Sequence, residues 1–345
     1  RSLLAAHGGY STIWEKMVKM KKILIIQPLH AQALALLDAR KDVQYEIVTD
    51  FAEEHLLNTV KNVDAITVRD APLSRKVIEL ATKTKVISRH GVGYDNIPVD
   101  LCTKLNIPVT VVGPINAVAV AEHTLFLLLA AARVGVFLDQ AVRDGNFAAR
   151  SFTNSRELNG KTLLLVGFGQ IGREVARRAA ALGMRIAVFD PYTSGGTDVP
   201  VTFISSLDEA LKKADAVSLH VPLTDQTRNI LGYRELALLP ERAIVVNASR
   251  GGLLDEDALA EAVASGALHG AGLDTFDVEP LPASSPLVEN RRIVLSPHSA
   301  ALTEDALIAM GRKTVENVLG VLDGQIDPKL VVNFKAIKEM QDANQ

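Results

Sequence analysis

The sequence predicts an α/β protein built from two doubly wound domains, each with a parallel sheet. Short runs rich in Val, Ile and Leu recur along the 345 residues, and such runs are typical of strands buried on both faces. The segments between them are long enough for a helix, and alternation of strands with helices favours parallel pairing. The length also suits two domains that each bury a core.

Ten strands are predicted, in two series separated by a long apolar helix. The first series is K-I-L-I-I (22–26), A-I-T-V-R (65–69), K-V-I-S-R (85–89) and P-V-T-V-V (108–112). The second series covers 162–166, 185–189, 216–220, 243–247, 270–274 and 292–296. The helix between them opens near Asn116, runs over 117–133 and is interpreted as an interdomain connector. A last long helix is predicted over 303–322, with Thr303 as its N-cap.

The two chain ends stand outside this pattern. Residues 1–20 match neither a secretory signal nor the strand and helix alternation. We interpret them as an N-terminal extension, with Met17 or Met20 as the natural start. Residues 336–345 form a charged tail, expected to be solvated and helical.

Composition excludes several classes of function. The net charge is −3 and no window is strongly basic, so we expect no nucleic-acid partner. The single cysteine, Cys102, allows neither an internal disulfide framework nor a cysteine metal cluster, and we expect no metal site. The longest apolar run, 124–132, is half of the roughly 18 residues that a membrane span needs. A soluble, cytoplasmic protein is therefore predicted.

The strongest local motif is G-F-G-Q-I-G, which includes Gly167, Gly169 and Gly172. It follows a predicted strand, opens a predicted helix and precedes Asp190 at the end of the next strand, which is the context of a dinucleotide-binding Rossmann turn. The glycines permit the tight turn, the approach to the pyrophosphate and close helix packing, while amides near Gln170 and Ile171 face the anion. Asp190 is expected to bind the adenine ribose hydroxyls. Since D-P-Y-T-S-G-G offers no arginine for a 2′-phosphate, NAD is predicted over NADP.

Three chemically active side chains follow successive strands of the second series. Arg250 lies in A-S-R-G-G after 243–247, Glu279 lies in T-F-D-V-E-P after 270–274, and His298 lies in S-P-H-S-A after 292–296. Because ligands of parallel sheets bind beyond the carboxyl ends of the strands, these groups can converge above a nicotinamide. The ring of His298 can donate a proton to the oxygen of a carbonyl group that is being reduced. Glu279 can raise the pKa of that ring, and the guanidinium of Arg250 can bind a carboxylate.

With these motifs the chain resembles the D-isomer-specific 2-hydroxyacid dehydrogenase family, which includes phosphoglycerate, glycerate and hydroxypyruvate or glyoxylate reductases. The resemblance runs from about Lys22 to Val332 and rests on the glycine turn, V-N-A-S-R-G-G-L-L-D-E-D-A-L, G-L-D-T-F-D-V-E-P and S-P-H-S-A. It implies that Arg250, Glu279 and His298 are the catalytic residues and that Asp274 binds the nicotinamide carboxamide. Pro222 and Ala248 complete the expected cofactor contacts.

The resemblance also implies the domain organisation. A flavodoxin-like substrate domain is expected from 21–116 and 301–335, and a Rossmann NAD-binding domain is expected over 117–300. A homodimer, formed largely through the connector helix, is implied as well. His123 in that helix is interpreted as structural.

The substrate is expected to meet the loop R-H-G-V-G-Y-D-N-I, residues 89–97. Consecutive amides around Val92 and Gly93 can form an anion nest for the substrate carboxylate, which is the role that the resemblance implies, and His90 is expected to line the same cleft. Arg69 falls where phosphoglycerate dehydrogenases have a phosphate-binding arginine. Asp70 beside it adds a repulsive charge, and no second arginine is evident.

Two functions stay open at this point. The first is an NAD-dependent dehydrogenase that acts on 3-phosphoglycerate and 3-phosphohydroxypyruvate, on hydroxypyruvate, or on glyoxylate. The second is an NAD(H)-sensing binding protein of the corepressor type, because such corepressors share this fold and keep the same catalytic residues. Turnover of 2-keto acids with NADH distinguishes the two.

Overall fold

The chain is described from a computed structural model, which covers residues 20–151, 154–193, 195–196 and 198–343. Of the predicted N-terminal extension, only Met20 lies among the described residues. The chain divides into two compact units. Unit 1 contains the residues up to Val112 and those from Gly311 onward, and unit 2 is Gly113–Met310.

Each unit contains one sheet in which every strand pair is parallel. The strands of unit 1 are β1 (Lys21–Ile26), β2 (Val43–Val48), β3 (Ala65–Val68), β4 (Ile87–Arg89) and β5 (Val109–Thr110). The strands of unit 2 are β6 (Thr162–Val166), β7 (Arg185–Phe189), β8 (Val201–Phe203), β9 (Ala216–Leu219), β10 (Ala243–Asn247), β11 (Leu268–Leu273) and β12 (Ile293–Leu295).

The strand orders confirm the predicted fold class. Unit 1 has the order β2-β1-β3-β4-β5, which is the flavodoxin-like arrangement. Unit 2 has the order β12-β11-β10-β9-β6-β7-β8, the Rossmann order with one added strand. In each sheet the order reverses once, between β1 and β3 in unit 1 and between β6 and β9 in unit 2. A ligand site is expected at the carboxyl ends beside each reversal.

Helices connect most of the strands. They are α1 (Ala31–Asp38), α2 (Glu53–Thr59), α3 (Arg75–Leu80), α4 (Val99–Lys104), α5 (Ala117–Arg133), α6 (Gly135–Arg143), α7 (Gln170–Ala181), α8 (Leu207–Leu211), α9 (Tyr233–Ala237), α10 (Glu256–Ala264), α11 (Pro286–Glu289), α12 (Glu304–Leu322) and α13 (Phe334–Ala343). Short 3-10 turns are found at Val60–Asn62, Pro114–Asn116, Phe147–Ser151 and Pro328–Leu330.

Apolar side chains fill both faces of each sheet, as the continuous Val, Ile and Leu runs predict. All four residues of β3 and all five of β10 are buried. The C-terminal half of α12 adds Val315, Val318 and Leu322 to a core cluster with Ile23 and Ile25 of β1. The strands are therefore buried on both sides, which is the condition under which parallel sheets are stable.

Helix α5 corrects one expectation. The segment Pro114–Arg133 is long and apolar enough to cross a membrane by length and composition, although the sequence was expected to contain no such segment. In unit 2, however, 61% of the most apolar 18-residue stretch of this segment is buried. Gly272 of β11 allows this packing, because a Cβ atom there would lie 2.6 Å from Cβ of Leu127. The burial is that of a core helix in a globular unit.

Candidate active site

The candidate site of unit 2 lies at the carboxyl edge of the seven-stranded sheet. The glycine-rich turn follows β6, next to the reversal of strand order, and Arg250 follows β10. Glu279 follows β11, and His298 follows β12. Since all these strands are parallel, the cofactor turn and the three predicted catalytic side chains belong to the same edge of one sheet.

The glycine-rich turn is closely packed at two of its glycines and open at the third. Gly167 has φ +96°, and a Cβ atom there would lie 2.5 Å from the carbonyl oxygen of His220. A Cβ on Gly172 would lie 2.6 Å from the carbonyl oxygen of Gly167, so helix α7 packs directly on the turn. Gly169, the N-cap of α7, faces open space, with no atom of the described residues within 4 Å of its added Cβ. The Rossmann motif predicts a pyrophosphate on this open side, where the helix N-terminus favours an anion.

Asp190 caps the glycine-rich turn. Its Oδ2 accepts a 2.7 Å hydrogen bond from the Phe168 amide, and its Oδ1 accepts a 2.8 Å hydrogen bond from the Tyr192 amide. Arg173 of α7 stacks over the Phe168 ring at 4.6 Å and donates to the Gly196 carbonyl. Arg173 comes from the helix and not from the loop D-P-Y-T-S-G-G, which contains no arginine, as the sequence shows.

The other predicted cofactor contacts are distributed around this turn. Gln170 is exposed at the start of α7, and Ile171 is half-buried against the core. Pro222 is exposed after β9, and its carbonyl accepts a 2.7 Å hydrogen bond from the Thr227 hydroxyl. Ala248 is buried, with 7% of its surface exposed.

His298 and Glu279 form a hydrogen-bonded pair. His298 Nδ1 lies 2.8 Å from Glu279 Oε2, and both side chains are partly exposed, at 45% and 37%. The second carboxylate oxygen, Glu279 Oε1, accepts a 3.0 Å hydrogen bond from the Phe276 amide. The carboxylate is therefore fixed by its own loop and orients the imidazole, whose Nε2 is left to meet a reacting group.

The pair shifts the pKa of both partners in opposite directions. The hydrogen bond to Glu279 raises the pKa of His298, against the opposing effect of partial burial. For Glu279, burial acts to raise the pKa, but the hydrogen bonds from His298 and Phe276 outweigh it and lower the pKa. The charge of Arg250 lowers the pKa of His298, and that of Asp274 raises it. The net effect favours an imidazolium next to a carboxylate.

The backbone at His298 has the left-handed conformation, with φ +49°. A non-glycine residue there costs of order 1–3 kcal/mol and needs neighbouring contacts that hold it. The His298 amide donates to the Asp274 carbonyl at 2.8 Å, and the Ser299 and Ala300 amides donate to the Asp274 carboxylate at 2.8 Å each. The turn after β12 is thus anchored on one residue.

Asp274 is buried below the turn that carries His298. Its side chain is 1% exposed, and its oxygens already accept the two amides and the Ser296 hydroxyl, the latter at 2.6 Å. The structure therefore shows Asp274 as the anchor of the histidine turn. The sequence carries no signal of this, because the partners lie more than 20 residues away.

A closed turn presents Arg250. The buried Asn247 donates from Nδ2 to the Arg250 carbonyl at 2.7 Å, and its Oδ1 accepts from the Ser249 amide at 3.1 Å. Ser249 Oγ donates to the Val221 carbonyl at 2.9 Å, which ties this turn to the one after β9. Backbone and side-chain hydrogen bonds thus fix the base of Arg250, and its own Nη1 donates back to the Ser249 carbonyl at 2.7 Å.

Gly251 brings the arginine turn against the loop that carries Glu279. A Cβ atom on Gly251 would lie 2.0 Å from the Phe276 carbonyl oxygen, which no side chain could tolerate. Asp277 joins the same two loops, since its carboxylate accepts from the Gly252 amide. Its amide in turn donates to Glu256 at 2.7 Å. Gly251 and Glu256 lie within V-N-A-S-R-G-G-L-L-D-E-D-A-L and Asp277 lies within G-L-D-T-F-D-V-E-P, but these motifs do not indicate that the three residues join the two loops.

Unit 1 carries the predicted substrate loop at the carboxyl edge of its own sheet. Arg89 ends β4, and its guanidinium lies under Gly91, where a Cβ atom would be 2.7 Å from Arg89 Nη1. Val92 is 40% exposed on the loop, and Gly93 is half-buried. Arg89 also pairs with Asp70 at 3.0 Å. It is the second arginine that the sequence did not reveal, because it comes from the adjacent strand.

Arg69 and His90 flank this ion pair. Arg69 lies beside the reversal of strand order, and its Nη1 donates to the Pro28 carbonyl at 3.4 Å. His90 is only 4% exposed, so it lies behind the loop surface and not on it as expected. Burial, together with the charges of Arg69 and Arg89, lowers the pKa of His90 to about 4. His90 is therefore neutral at neutral pH.

Comparison with known proteins gives a consistent family match. Residues 125–300 match the family model described as "D-isomer specific 2-hydroxyacid dehydrogenase, NAD binding domain". The D-3-phosphoglycerate dehydrogenase of Methanocaldococcus jannaschii is 40% identical over 315 residues, which are 90% of this chain and 59% of that protein. The chain therefore spans about three fifths of the length of that dehydrogenase.

Two further matches cover almost the whole of the compared protein. The hydroxypyruvate reductase of Thermotoga maritima is 37% identical over 306 residues, 86% of this chain and 97% of that protein. The crystal structure of the TT0316 protein from Thermus thermophilus superposes with a TM-score of 0.83 at 35% identity. That match covers 89% of this chain and 98% of the other.

Proposed function

Because the chain belongs to the D-isomer-specific 2-hydroxyacid dehydrogenase family and carries its NAD-binding domain, we propose that it reversibly reduces a small 2-keto acid with NADH. The observation that carries the proposal is the His298 and Glu279 pair, at 2.8 Å, on the same sheet edge as Arg250 and the glycine-rich turn. A proton donor, a carboxylate binder and a dinucleotide turn are the groups that this reaction needs.

The chemistry follows from these residues. NADH, when bound at the glycine-rich turn, supplies the hydride that adds to C2 of the keto acid. The carbonyl oxygen gains a proton in the same reaction, and imidazolium His298 donates it from Nε2. Glu279 keeps Nδ1 protonated and the ring oriented. Arg250 holds the substrate carboxylate with its planar fork and polarises the carbonyl. The reverse reaction uses neutral His298 as the base.

The pH dependence of the reaction tests the role of Glu279. Reduction needs protonated His298, so its rate is expected to fall as the pH rises through the raised pKa of that ring. In Glu279→Gln the carboxylate that raises this pKa is gone, and the inflection moves to lower pH. The measurement is kcat/KM for keto-acid reduction over a pH series. An unchanged profile in Glu279→Gln would show that the carboxylate does not act through His298.

We propose that the preferred substrate carries an uncharged group at C3, as hydroxypyruvate does, or has no C3, as glyoxylate does. Asp70 supports this, because its carboxylate is 60% exposed beside Arg69 and would repel a substrate phosphate. Arg89, the second cation nearby, is already paired with Asp70 and lies under the loop at Gly91. A phosphate dianion would then meet two arginines and one carboxylate, with the guanidinium of Arg89 turned toward Asp70 and Gly91.

A substrate panel with Asp70→Asn tests both parts of this proposal. NADH absorbance is followed with hydroxypyruvate, glyoxylate and 3-phosphohydroxypyruvate. The wild type is expected to prefer the first two. Asp70→Asn is expected to raise kcat/KM for the phosphorylated substrate about tenfold, or about 1.4 kcal/mol, because a repulsive charge is removed. Asp100→Asn, in another surface ion pair with Arg75 at 2.8 Å, is the control.

Two outcomes would contradict these proposals separately. A wild type that prefers 3-phosphohydroxypyruvate, with no gain in Asp70→Asn, would refute the role of Asp70 but leave the dehydrogenase assignment intact. Tight NADH binding without turnover of any keto acid would refute the assignment and favour the NAD(H)-sensing protein.

A homodimer through helices α5 and α6 is also proposed. These helices line an apolar groove of about 780 Å³ that includes Phe126, Leu129 and Val136. Phe126 is 52% exposed and Val136 is 53% exposed, and such patches mark protein interfaces. We expect light scattering to give twice the chain mass, and Phe126→Asp to give the monomer mass. Val288→Asp, at a 46% exposed site on α11, should stay dimeric. A monomeric wild type would contradict the proposal.

A further inference from the structure

A chain of three polar side chains links helix α5 to the turn that carries His298. His123 Nε2 lies 2.8 Å from Ser296 Oγ, and Ser296 Oγ lies 2.6 Å from Asp274 Oδ1. His123 Nε2 and Asp274 Oδ1 are 3.4 Å apart. His123 is 20% exposed, so the contact is partly shielded from water. The three residues belong to α5 and to the ends of β12 and β11, and all lie in unit 2.

The hydrogen bonds that link His123, Ser296 and Asp274 allow only one arrangement of their hydrogen atoms. Burial acts to raise the pKa of Asp274, but its hydrogen bonds outweigh burial and lower that pKa, so the carboxylate is ionised and only accepts. The single proton of Ser296 therefore goes to Asp274 at 2.6 Å, since its alternative acceptor, the Leu273 carbonyl, is 3.4 Å away. Ser296 Oγ must then accept from His123, which requires a proton on Nε2 of that ring.

Asp274, at one end of these hydrogen bonds, contacts the residues around His298. Asp274 Oδ1 accepts from the Ser299 amide and Oδ2 accepts from the Ala300 amide, both at 2.8 Å. The carbonyl of Asp274 accepts the amide of His298 itself. Since His298 has a left-handed backbone, these contacts oppose its relaxation into an ordinary conformation.

We propose that His123 is a positioning residue for His298: its Nε2–H fixes the Ser296 hydroxyl on Asp274, and Asp274 so held sets the turn at residues 298–300. This proposal gives His123 a role at the candidate active site in addition to the structural role that the sequence predicts. The effect on catalysis rests on the proposed dehydrogenase function, whereas the hydrogen-bond direction does not.

The charged groups that face His298 decide what a loss of this contact does. Glu279 pairs with Nδ1 from the loop after β11, Arg250 acts from the turn after β10, and Asp274 acts from below the turn. When Asp274 is no longer held, the turn can shift, and the alignment of His298 with Glu279 weakens. Both changes move a carboxylate away from the His298 ring, so the pKa of that ring falls.

The first experiment measures the proton position directly. Long-range ¹⁵N–¹H NMR spectra of the full chain, with histidines assigned by substitution, report the tautomer of each ring. We expect His123 to be protonated at Nε2 at every pH from about 6 to 8, whether or not the ring is charged. A neutral Nδ1–H tautomer would overturn the proposal, because Ser296 would then lack the donor that the proposal assigns to it. This result does not depend on any enzymatic activity.

The second experiment compares two substitutions of similar size. His123→Leu removes the donor, while His123→Gln keeps an N–H group at nearly the same reach. His123→Leu is expected to lower kcat/KM for keto-acid reduction about tenfold, which corresponds to a hydrogen bond near the upper end of the usual range for neutral partners. It is also expected to move the pH inflection lower. His123→Gln should restore most of the rate and the inflection.

Thr124→Val is the control for damage to the helix. Thr124 is buried next to His123, and its hydroxyl donates to the Val120 carbonyl at 2.8 Å, so the substitution perturbs α5 without touching Ser296. It should leave the pH inflection in place. A lower melting temperature with an unchanged inflection in His123→Leu would show that the residue is only structural. A wild type without turnover would refute the proposed function, and the tautomer measurement would still decide the hydrogen-bond chain.

Discussion

Asparagine in place of His298 is expected to lower kcat for keto-acid reduction by about 10²–10⁴-fold, the range for loss of a general acid. Asparagine suits this position, because it tolerates the left-handed backbone at φ +49° and its amide can still donate to Glu279. The fold of the turn and the charge of Glu279 are therefore kept. What is lost is a proton that can be transferred near neutral pH.

Steady-state kinetics and NADH titration together check this prediction. The affinity for NADH should change little in His298→Asn, because the glycine-rich turn is untouched, and the pH inflection of the reduction should disappear. His55→Asn, at an exposed histidine on α2, is the matched control and should keep full activity. A His298→Asn enzyme that retains both rate and inflection would exclude His298 as the proton donor.

Lysine in place of Arg250 is expected to raise KM for the keto acid and to lower kcat/KM by about 10–150-fold. This factor corresponds to the roughly 1.5–3 kcal/mol of a charge-assisted hydrogen bond. Lysine keeps the positive charge but cannot offer two parallel donors to a carboxylate. The turn itself should persist, since Asn247 holds the backbone carbonyl of residue 250 and not its side chain.

The kinetic constants, with melting temperature as a check on folding, test the role of Arg250. Arg234→Lys is a suitable control, because Arg234 forms a surface ion pair with Asp208 at 2.7 Å and is 65% exposed. If Arg250→Lys changes kcat/KM no more than Arg234→Lys does, the guanidinium does not bind the substrate carboxylate.

The buried strands could be predicted from sequence because their burial leaves a plain signal. All ten predicted runs correspond to strands or directly border them. The two strands that were missed are β2 and β8, which lie at sheet edges. In β2 the polar residues Gln44 and Glu46 interrupt the apolar pattern, and in β8 none of the three residues is fully buried. The other two edge strands, β5 and β12, are mostly buried and keep the apolar pattern.

The site could be predicted only where its residues stand in recognisable local motifs. The glycine-rich turn and the motifs around Arg250, Glu279 and His298 have this property. The contacts of Arg89 with Asp70 and of His123 with Ser296 do not, since each joins residues from different strands or helices. The burial of His90 was not apparent for the same reason: it depends on what packs over the loop. Such contacts are set by tertiary structure.

The contact between Gly251 and the Phe276 carbonyl has a consequence for protein engineering. Since there is no space for even a methyl group between them, a redesign of the segment that presents the guanidinium or of the segment that presents the acid must keep glycine at 251 and the backbone path at 276. To change the substrate preference with segments from another protein, residues 248–256 and 274–280 should be replaced together. A chimaera that exchanges only one segment and loses glycine at 251 is expected to have a lower melting temperature.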